Sequence, residues 1–179
     1  YPAAEDDVVA RLLAPSFLKA VADADSEVVA KYDIEIIDIQ TTEGIEDIAA
    51  RIVAAEPDVL AYSVYMWNYD QVADSLKRVR EQFPNVRTVF GGPLVTYTPD
   101  EVMSEHPDVD IVVRGNGGEI RFKQLLKGDF SPAALREIPQ ISFRDEDGAL
   151  VHTQGEVKED VSQIPSIYET GVLDLNDGN

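Results

Sequence analysis

The chain has 179 residues, 15 lysines and arginines against 34 aspartates and glutamates, a formal net charge of −19 and no cysteine. That charge argues against nucleic acid and an anionic membrane surface, both of which need clustered cations. The missing thiols exclude disulfides, thiolate metal sites and a cysteine nucleophile.

A hydrophobic content of 44% is that of a chain that folds, and the length suits one domain with a small appendage. Two histidines make an imidazole-rich metal site a poor expectation. No apolar run approaches the roughly 20 residues of a membrane span, and the opening residues have no signal-peptide pattern. A cytoplasmic setting is the expectation.

The chain opens YPAAEDD, which reads as the loop after a strand. A first strand upstream is therefore expected, the alternative being a disordered terminus on a four-stranded sheet. Leu13, Phe17, Leu18 and Val21 place a first helix over 12–24, with Pro15 in its first turn. The runs 34–39, 59–64, 86–90 and 109–113 are rich in β-branched residues and bounded by turn signals, as strands are. The middle two lack polar alternation, which suits strands covered on both faces.

Between them, Ile45, Ile48, Ala49, Ile52 and Val53 form one helical face, and Val72, Leu76, Val79 and Phe83 another. Asn68 is placed to cap the second of these, with Gln71 reaching back. Thr98-Pro99-Asp100-Glu101 reads as a capping box for a short helix over 99–105. A further helix spans 118–127, with Phe122, Leu125 and Leu126 inward. Alternating strands and helices predict an α/β fold, a doubly wound parallel sheet. Beyond residue 130 the pattern changes. The segments 141–144 and 149–152 flank Asp147-Gly148, a hairpin signal. The stretch from Gly155 to Asn179 reads as an extended linker. This divides the chain into a domain over 1–130 and a hairpin with linker over 131–179.

In open α/β sheets ligands bind beyond the carboxyl ends of the strands. Four loops follow the four strands: Gln40-Thr41-Thr42; Ser63-Val64-Tyr65-Met66-Trp67-Asn68; Gly91-Gly92-Pro93-Leu94-Val95; and Arg114-Gly115-Asn116-Gly117-Gly118-Glu119. The second is crowded with large side chains, which either plug a core or wall a pocket for a large flat ligand. Gly91-Gly92 lets a ligand approach the backbone, or is a plain strand-end turn closed by Pro93. The GNGGE loop precedes a helix whose amides favour an anion, or is a flexible link. It is no dinucleotide fingerprint, because Ile120 stands where the third glycine belongs. No phosphate-loop signature occurs. Ser63 stands where a phospho-acceptor aspartate would. No Ser-His-Asp set is evident, and His106 and His152 read as structural or exposed.

Taken in order, the serine after the central strand, Gly91-Gly92 after the next and the Gly115-x-Gly117-x-Glu119 loop after the last resemble the N-terminal cobalamin-binding domain of B12-dependent radical SAM enzymes of the methyltransferase type. The segment IPSIYETGVLDL is similar to the stretch that leads from that domain into the radical SAM barrel. The resemblance implies a flavodoxin-like, Rossmann-like fold with five parallel strands in the order 2-1-3-4-5. It implies that Ser63 contacts the nucleotide tail of cobalamin and that Gly91 and Gly92 let it pass. Gly115, Asn116, Gly117 and Glu119 would line the far wall. Tyr65, Met66, Trp67 and Leu94 would lie against the corrin, with Asn68, Pro93 and Val95 completing the loops.

Residues 1–16 contain no histidine, so the resemblance further implies cobalamin held base-off with no lower histidine from that loop. The cysteine-free chain cannot hold an iron–sulfur cluster. S-adenosylmethionine and a 4Fe–4S cluster would belong to a radical SAM domain elsewhere in the same parent chain, in which a methyl group passes through methylcobalamin to a substrate carbon. The rival readings are a flavodoxin-like interaction domain with no cofactor, its aromatic loop docking a neighbouring domain, and a flavin or nucleotide binder.

Overall fold

The computed structural model describes residues 6–155 and 164–172, with side chains from residue 12. The first five residues of the opening YPAAEDD, and the final three of IPSIYETGVLDL, lie outside the described residues. Helix α1 (Asp6–Asp23) leads into a single turn, α2 (Ser26–Val29), and then α3 (Ile45–Ala54). Strand β1 (Val59–Ser63), α4 (Tyr69–Gln82), β2 (Arg87–Gly91), α5 (Pro93–Tyr97), α6 (Pro99–Glu105) and β3 (Ile111–Val113) follow. Helices α7 (Gly118–Lys127) and α8 (Pro132–Arg136) precede the hairpin β4 (Ile141–Arg144) and β5 (Leu150–His152).

The five strands form one open sheet in the order β1-β2-β3-β4-β5. β1, β2 and β3 are parallel, with Ser63 opposite Gly91, and the hairpin adds antiparallel to β3. Two expectations change here. The segment 34–39 is extended but belongs to no ladder among the described residues. Its apolar side chains follow strand chemistry, yet a strand needs a paired neighbour and none is beside it. The hairpin, expected as an appendage, continues the sheet because Ile141 and Phe143 bury completely against Ile111 and Val113.

Side-chain alternation divides the core. Leu60, Tyr62, Phe90 and Val112 face α3 and α4, where Ile48, Ile52, Leu76 and Val79 cover them. Val89, Ile111 and Val113 face Leu125 of α7, and Val59 joins Phe122 and Leu126 with Ala22 of α1. The sheet therefore has helices on both faces.

Three local expectations are also corrected. Pro15 lies inside α1, not in its first turn, because the helix starts at Asp6. Asn68 and Thr98 make no side-chain cap. Asn68 instead closes its own loop, and the Thr98 hydroxyl donates to the Leu94 carbonyl at 3.2 Å. The segment 164–172 is turned rather than extended: Ile167 is buried beside Ala20 of α1, with Leu12, Phe17 and Val172 packed around them.

Tyr62 carries a testable consequence of this packing. Burial pushes its phenol up to about 12, opposed by the Ser75 hydroxyl. The group is protonated in both states below pH 10, and its share of stability is lost as pH rises from 10 towards 12. Stability should fall by up to about 3 kcal/mol across that window. Urea unfolding at stepped pH should show this slope in the native chain and lose it in Tyr62→Phe.

Candidate functional site

The parallel pairing brings the loops after β1, β2 and β3 to one rim of the sheet. Val64 donates its amide to the Gly91 carbonyl at 2.7 Å, so the first two loops leave their strands side by side. The loop after β1 is built from within. The amide of Tyr65 donates to Asn68 Oδ1 at 2.8 Å, and Asn68 Nδ2 donates to the Ser63 carbonyl at 3.0 Å. This rigid turn lifts the large side chains outward. Tyr65 and Trp67 stack with ring centroids 4.5 Å apart and planes 11° from parallel. Met66 is 83% exposed and Trp67 68%. The alternative that Trp67 is core is therefore wrong. Exposed apolar surface concentrated at a loop cluster is what a ligand or partner covers.

Next to this loop a cleft of about 440 Å³ opens between β1 and the extended segment 34–39. Ser63, Tyr65, Trp67 and Asn68 line it, with Leu12, Pro15 and Lys19 of α1, Phe122 of α7 and Gln71 of α4. Gln71 Nε2 donates to the carbonyls of Gln40 and Glu43, at 3.0 and 3.1 Å, which fastens the loop after 34–39 to the start of α4. Among the expected site residues, then, only the β1 loop borders the cleft. Gly91 to Val95 and Gly115 to Glu119 share the rim but lie outside its lining.

The second loop answers why its glycines are there. Gly92 has φ +117°, and a Cβ on it would sit 2.4 Å from the Val64 carbonyl oxygen. The close approach is thus made by the protein's own backbone. Gly91 differs, since its Cβ would meet only the Val113 side chain at 3.9 Å. Pro93 and Leu94 begin α5, Leu94 packing on the core and Val95 fully buried. Tyr97 ends that helix, 85% exposed. A five-residue helix is too short for a periodic signal, so no pattern in the chain marks this aromatic.

The third loop is not a flexible link. Arg121, fully buried, donates Nε to the Pro139 carbonyl at 3.1 Å and its two terminal nitrogens to the Asn116 carbonyl and Gln140 Oε1. Arg114 donates to the Thr153 carbonyl at 2.6 Å, and burial draws its pKa below the ordinary value, with Asp100 opposing. Both arginines tie the loop to the hairpin. Glu119 stands in the first turn of α7, where its carboxylate complements the helix dipole.

Neither histidine reaches the cleft lining. His106 packs edge-on against Tyr69, centroids 5.3 Å apart. His152 accepts or donates at Nδ1 with Ser142 Oγ at 2.8 Å, while Nε2 meets Asp100 Oδ1 at 2.9 Å. Ser142, His152 and Asp100 thus form a Ser-His-Asp array that no local motif marks, and His152 holds the structural role read for it. Ser142 is fully buried between β3 and β5, where no substrate can reach it, and the array ties the hairpin to α6. Among the described residues no group of histidine and carboxylate side chains is arranged to hold a metal ion. None of the described helices is long and apolar enough to cross a membrane.

A family model described as "B12 binding domain" matches residues 8–122. The cobalamin-dependent radical SAM methyltransferase TokK of Streptomyces tokunonensis is 33% identical over 90% of this chain and 23% of its own length. The 2-(S-pantetheinyl)-carbapenam-3-carboxylate methyltransferase of Streptantibioticus cattleyicolor is also 33% identical, over the same shares of the two chains. The chain thus spans about a quarter of the length of these curated relatives. Among solved structures, the cobalamin-dependent S-adenosylmethionine radical enzyme OxsB with aqua-cobalamin and S-adenosylmethionine bound superposes with a TM-score of 0.63 at 18% identity, covering 87% of this chain and 22% of that one. That likeness concerns the fold.

Proposed function

The chain belongs to the B12-binding domain family, and we propose that it holds cobalamin base-off in a B12-dependent radical SAM methyltransferase. The observation that carries this reading is the rigid β1 loop, which presents Met66 and the stacked Tyr65–Trp67 pair to solvent beside a cleft. A corrin has a broad apolar face, and this surface suits it. The cleft volume falls within the 300–1,000 Å³ range of small-molecule sites, enough for an appended group and not for the whole macrocycle. Ser63 lies in that cleft wall, and Gly91 is its register partner on the next strand, outside the lining.

When bound, cobalamin supplies a cobalt centre that carries a methyl group. The residues here bind it, orient it and exclude water from its lower face. His106 and His152 are engaged with Tyr69 and with Ser142 and Asp100, which supports a lower face without histidine. S-adenosylmethionine and the 4Fe–4S cluster fall to a radical SAM domain of the same polypeptide. The length of the relatives supports such a domain.

The test is corrinoid uptake by the full parent polypeptide. Hydroxocobalamin should co-elute with it on a sizing column with a base-off spectrum. Trp67→Ala should weaken uptake by about ten- to a hundredfold, the value of one large side chain's burial. His106→Gln and His152→Gln should leave the bound spectrum unchanged. Colourless protein would favour a cofactor-free interaction domain. A spectrum altered by either histidine substitution would remove the base-off assignment.

A further inference from the structure

Three of the described residues other than glycine have positive φ: Glu56 at +47°, Phe130 at +59° and Gln140 at +55°. Such a backbone is uncommon for a residue with a Cβ and persists only where its surroundings hold it. The first two have local reasons. Glu56 follows the last turn of α3 and donates its amide to the Val53 carbonyl at 3.1 Å, a left-handed helix end. Phe130 packs with Val59 against two parts of the core, and Arg87 lies 5.9 Å from the centre of its ring. Gln140 caps no helix, and its side chain is polar in a half-buried place. A glycine would take this backbone without strain. What glutamine adds is a carboxamide.

That carboxamide reaches the third rim loop. Its Oε1 accepts from a terminal nitrogen of Arg121, whose Nε donates to the adjoining Pro139 carbonyl at 3.1 Å. With two edges of the planar guanidinium held by neighbouring residues, the remaining nitrogen is aimed at the Asn116 carbonyl in the middle of the loop. A Cβ on Gly115, itself at φ +70°, would lie 2.7 Å from the same Oε1. The Gln140 carbonyl accepts the Arg114 amide at 2.9 Å, where the chain leaves β3. One residue therefore meets the loop at Arg114, at Gly115 and, through Arg121, at Asn116. The amides of Gly115, Asn116 and Gly117 have no main-chain partner among the described residues, so the loop takes its shape from such outside holds.

We propose that Gln140 is a positioning residue for the corrinoid. Its carboxamide orients the Arg121 guanidinium, and the oriented guanidinium keeps loop 114–119 in the shape that meets the ligand. The role rests on the reading of this chain as a corrinoid carrier. It goes beyond that reading because the residue comes from the turn before β4, outside the 8–122 segment that the family model matches. Without the carboxamide, Arg121 keeps its burial and the carbonyls of Pro139 and Asn116, so the fold has little to lose. The loop loses its fixed bearing, since a guanidinium released on one edge can tilt. A ligand must then order the loop as it binds, and that ordering lowers affinity.

The experiment measures hydroxocobalamin affinity, urea midpoint and amide hydrogen exchange in the full parent polypeptide. Gln140→Gly deletes the carboxamide and relieves the left-handed backbone. Its urea midpoint should hold or rise, because the strain removed offsets the hydrogen bond lost. The amides of Arg114, Ile120 and Arg121 are bonded at the two ends of the loop. Their exchange should quicken by about tenfold, and the Kd should rise by about tenfold, the value of one hydrogen bond. Gln140→Glu keeps the acceptor and should return both readings to within about threefold of native. Native exchange and native affinity in Gln140→Gly would overturn the inference while the carrier reading stood. Affinity lost in step with the urea midpoint would also overturn it, by marking a folding role. A native polypeptide that takes up no hydroxocobalamin would overturn the carrier reading and this role together.

Discussion

Arg121→Met is expected to lower the unfolding free energy by about 3 kcal/mol. The guanidinium is fully buried and donates in three directions, to the carbonyls of Asn116 and Pro139 and to the Gln140 side chain. A thioether of similar length fills the space but offers no donor. Each acceptor left dry costs about 1–3 kcal/mol, and part of that is recovered as the 114–119 loop opens to water. Arg121→Lys should recover less than half the loss, because a single ammonium cannot span acceptors laid out for a planar fork. The consequence reaches past stability. Residues 116 and 139–140 are on separate segments, and this side chain joins both. Freed from it, the third rim loop should show faster amide exchange than β3 beneath it. Urea titration measures the first effect and exchange the second. A change under about 0.5 kcal/mol would mean that water already shares these acceptors.

What the sequence discloses and what it hides follow from the range of the interactions. Helix α7 is legible over its full length because Phe122, Leu125 and Leu126 recur on one face and Gly117 and Gly128 bracket it. β1, β2 and β3 are legible as β-branched runs, and their parallel order then places three loops on one rim. Segment 34–39 has the same local chemistry and forms no ladder among the described residues. Pairing is a property of two segments, and one segment's residues cannot report it. Asn68 fails as a cap for a similar reason. Its amide reaches the Tyr65 amide and the Ser63 carbonyl, a turn geometry invisible to a capping rule. Arg121 and Ile167 were out of reach because their partners are distant in the chain or follow no period. The exposed Trp67 sits between these cases: its place on the rim was legible, but its outward direction depends on the fold of its loop.

Gly92→Ala is the second large expected effect, and it separates two reasons for a glycine that the sequence alone leaves joined. Gly92 has φ +117° and ψ 173°, a region that side chains with a Cβ rarely occupy. Forcing a non-glycine residue there costs about 1–3 kcal/mol. The added carbon would also lie 2.4 Å from the Val64 carbonyl oxygen and 3.0 Å from its nitrogen, both main-chain atoms that cannot swing aside. The same displacement would strain the 2.7 Å bond from Val64 to Gly91 that holds β1 and β2 together at the rim. A total loss of about 3 kcal/mol or more is expected. Loss of corrinoid uptake in this variant would therefore say nothing about contact with a ligand. Gly91→Ala provides the clean comparison. Its new methyl meets Val113 at an ordinary 3.9 Å, so stability should stay within about 1 kcal/mol of the native chain. A ligand that passes against Gly91 would feel that methyl, and uptake should fall while the urea midpoint holds. If both variants keep their midpoints, the turn after β2 is looser than its backbone geometry requires. If Gly91→Ala keeps its midpoint and its uptake together, the ligand passes elsewhere, and the glycine pair exists for the strand end alone.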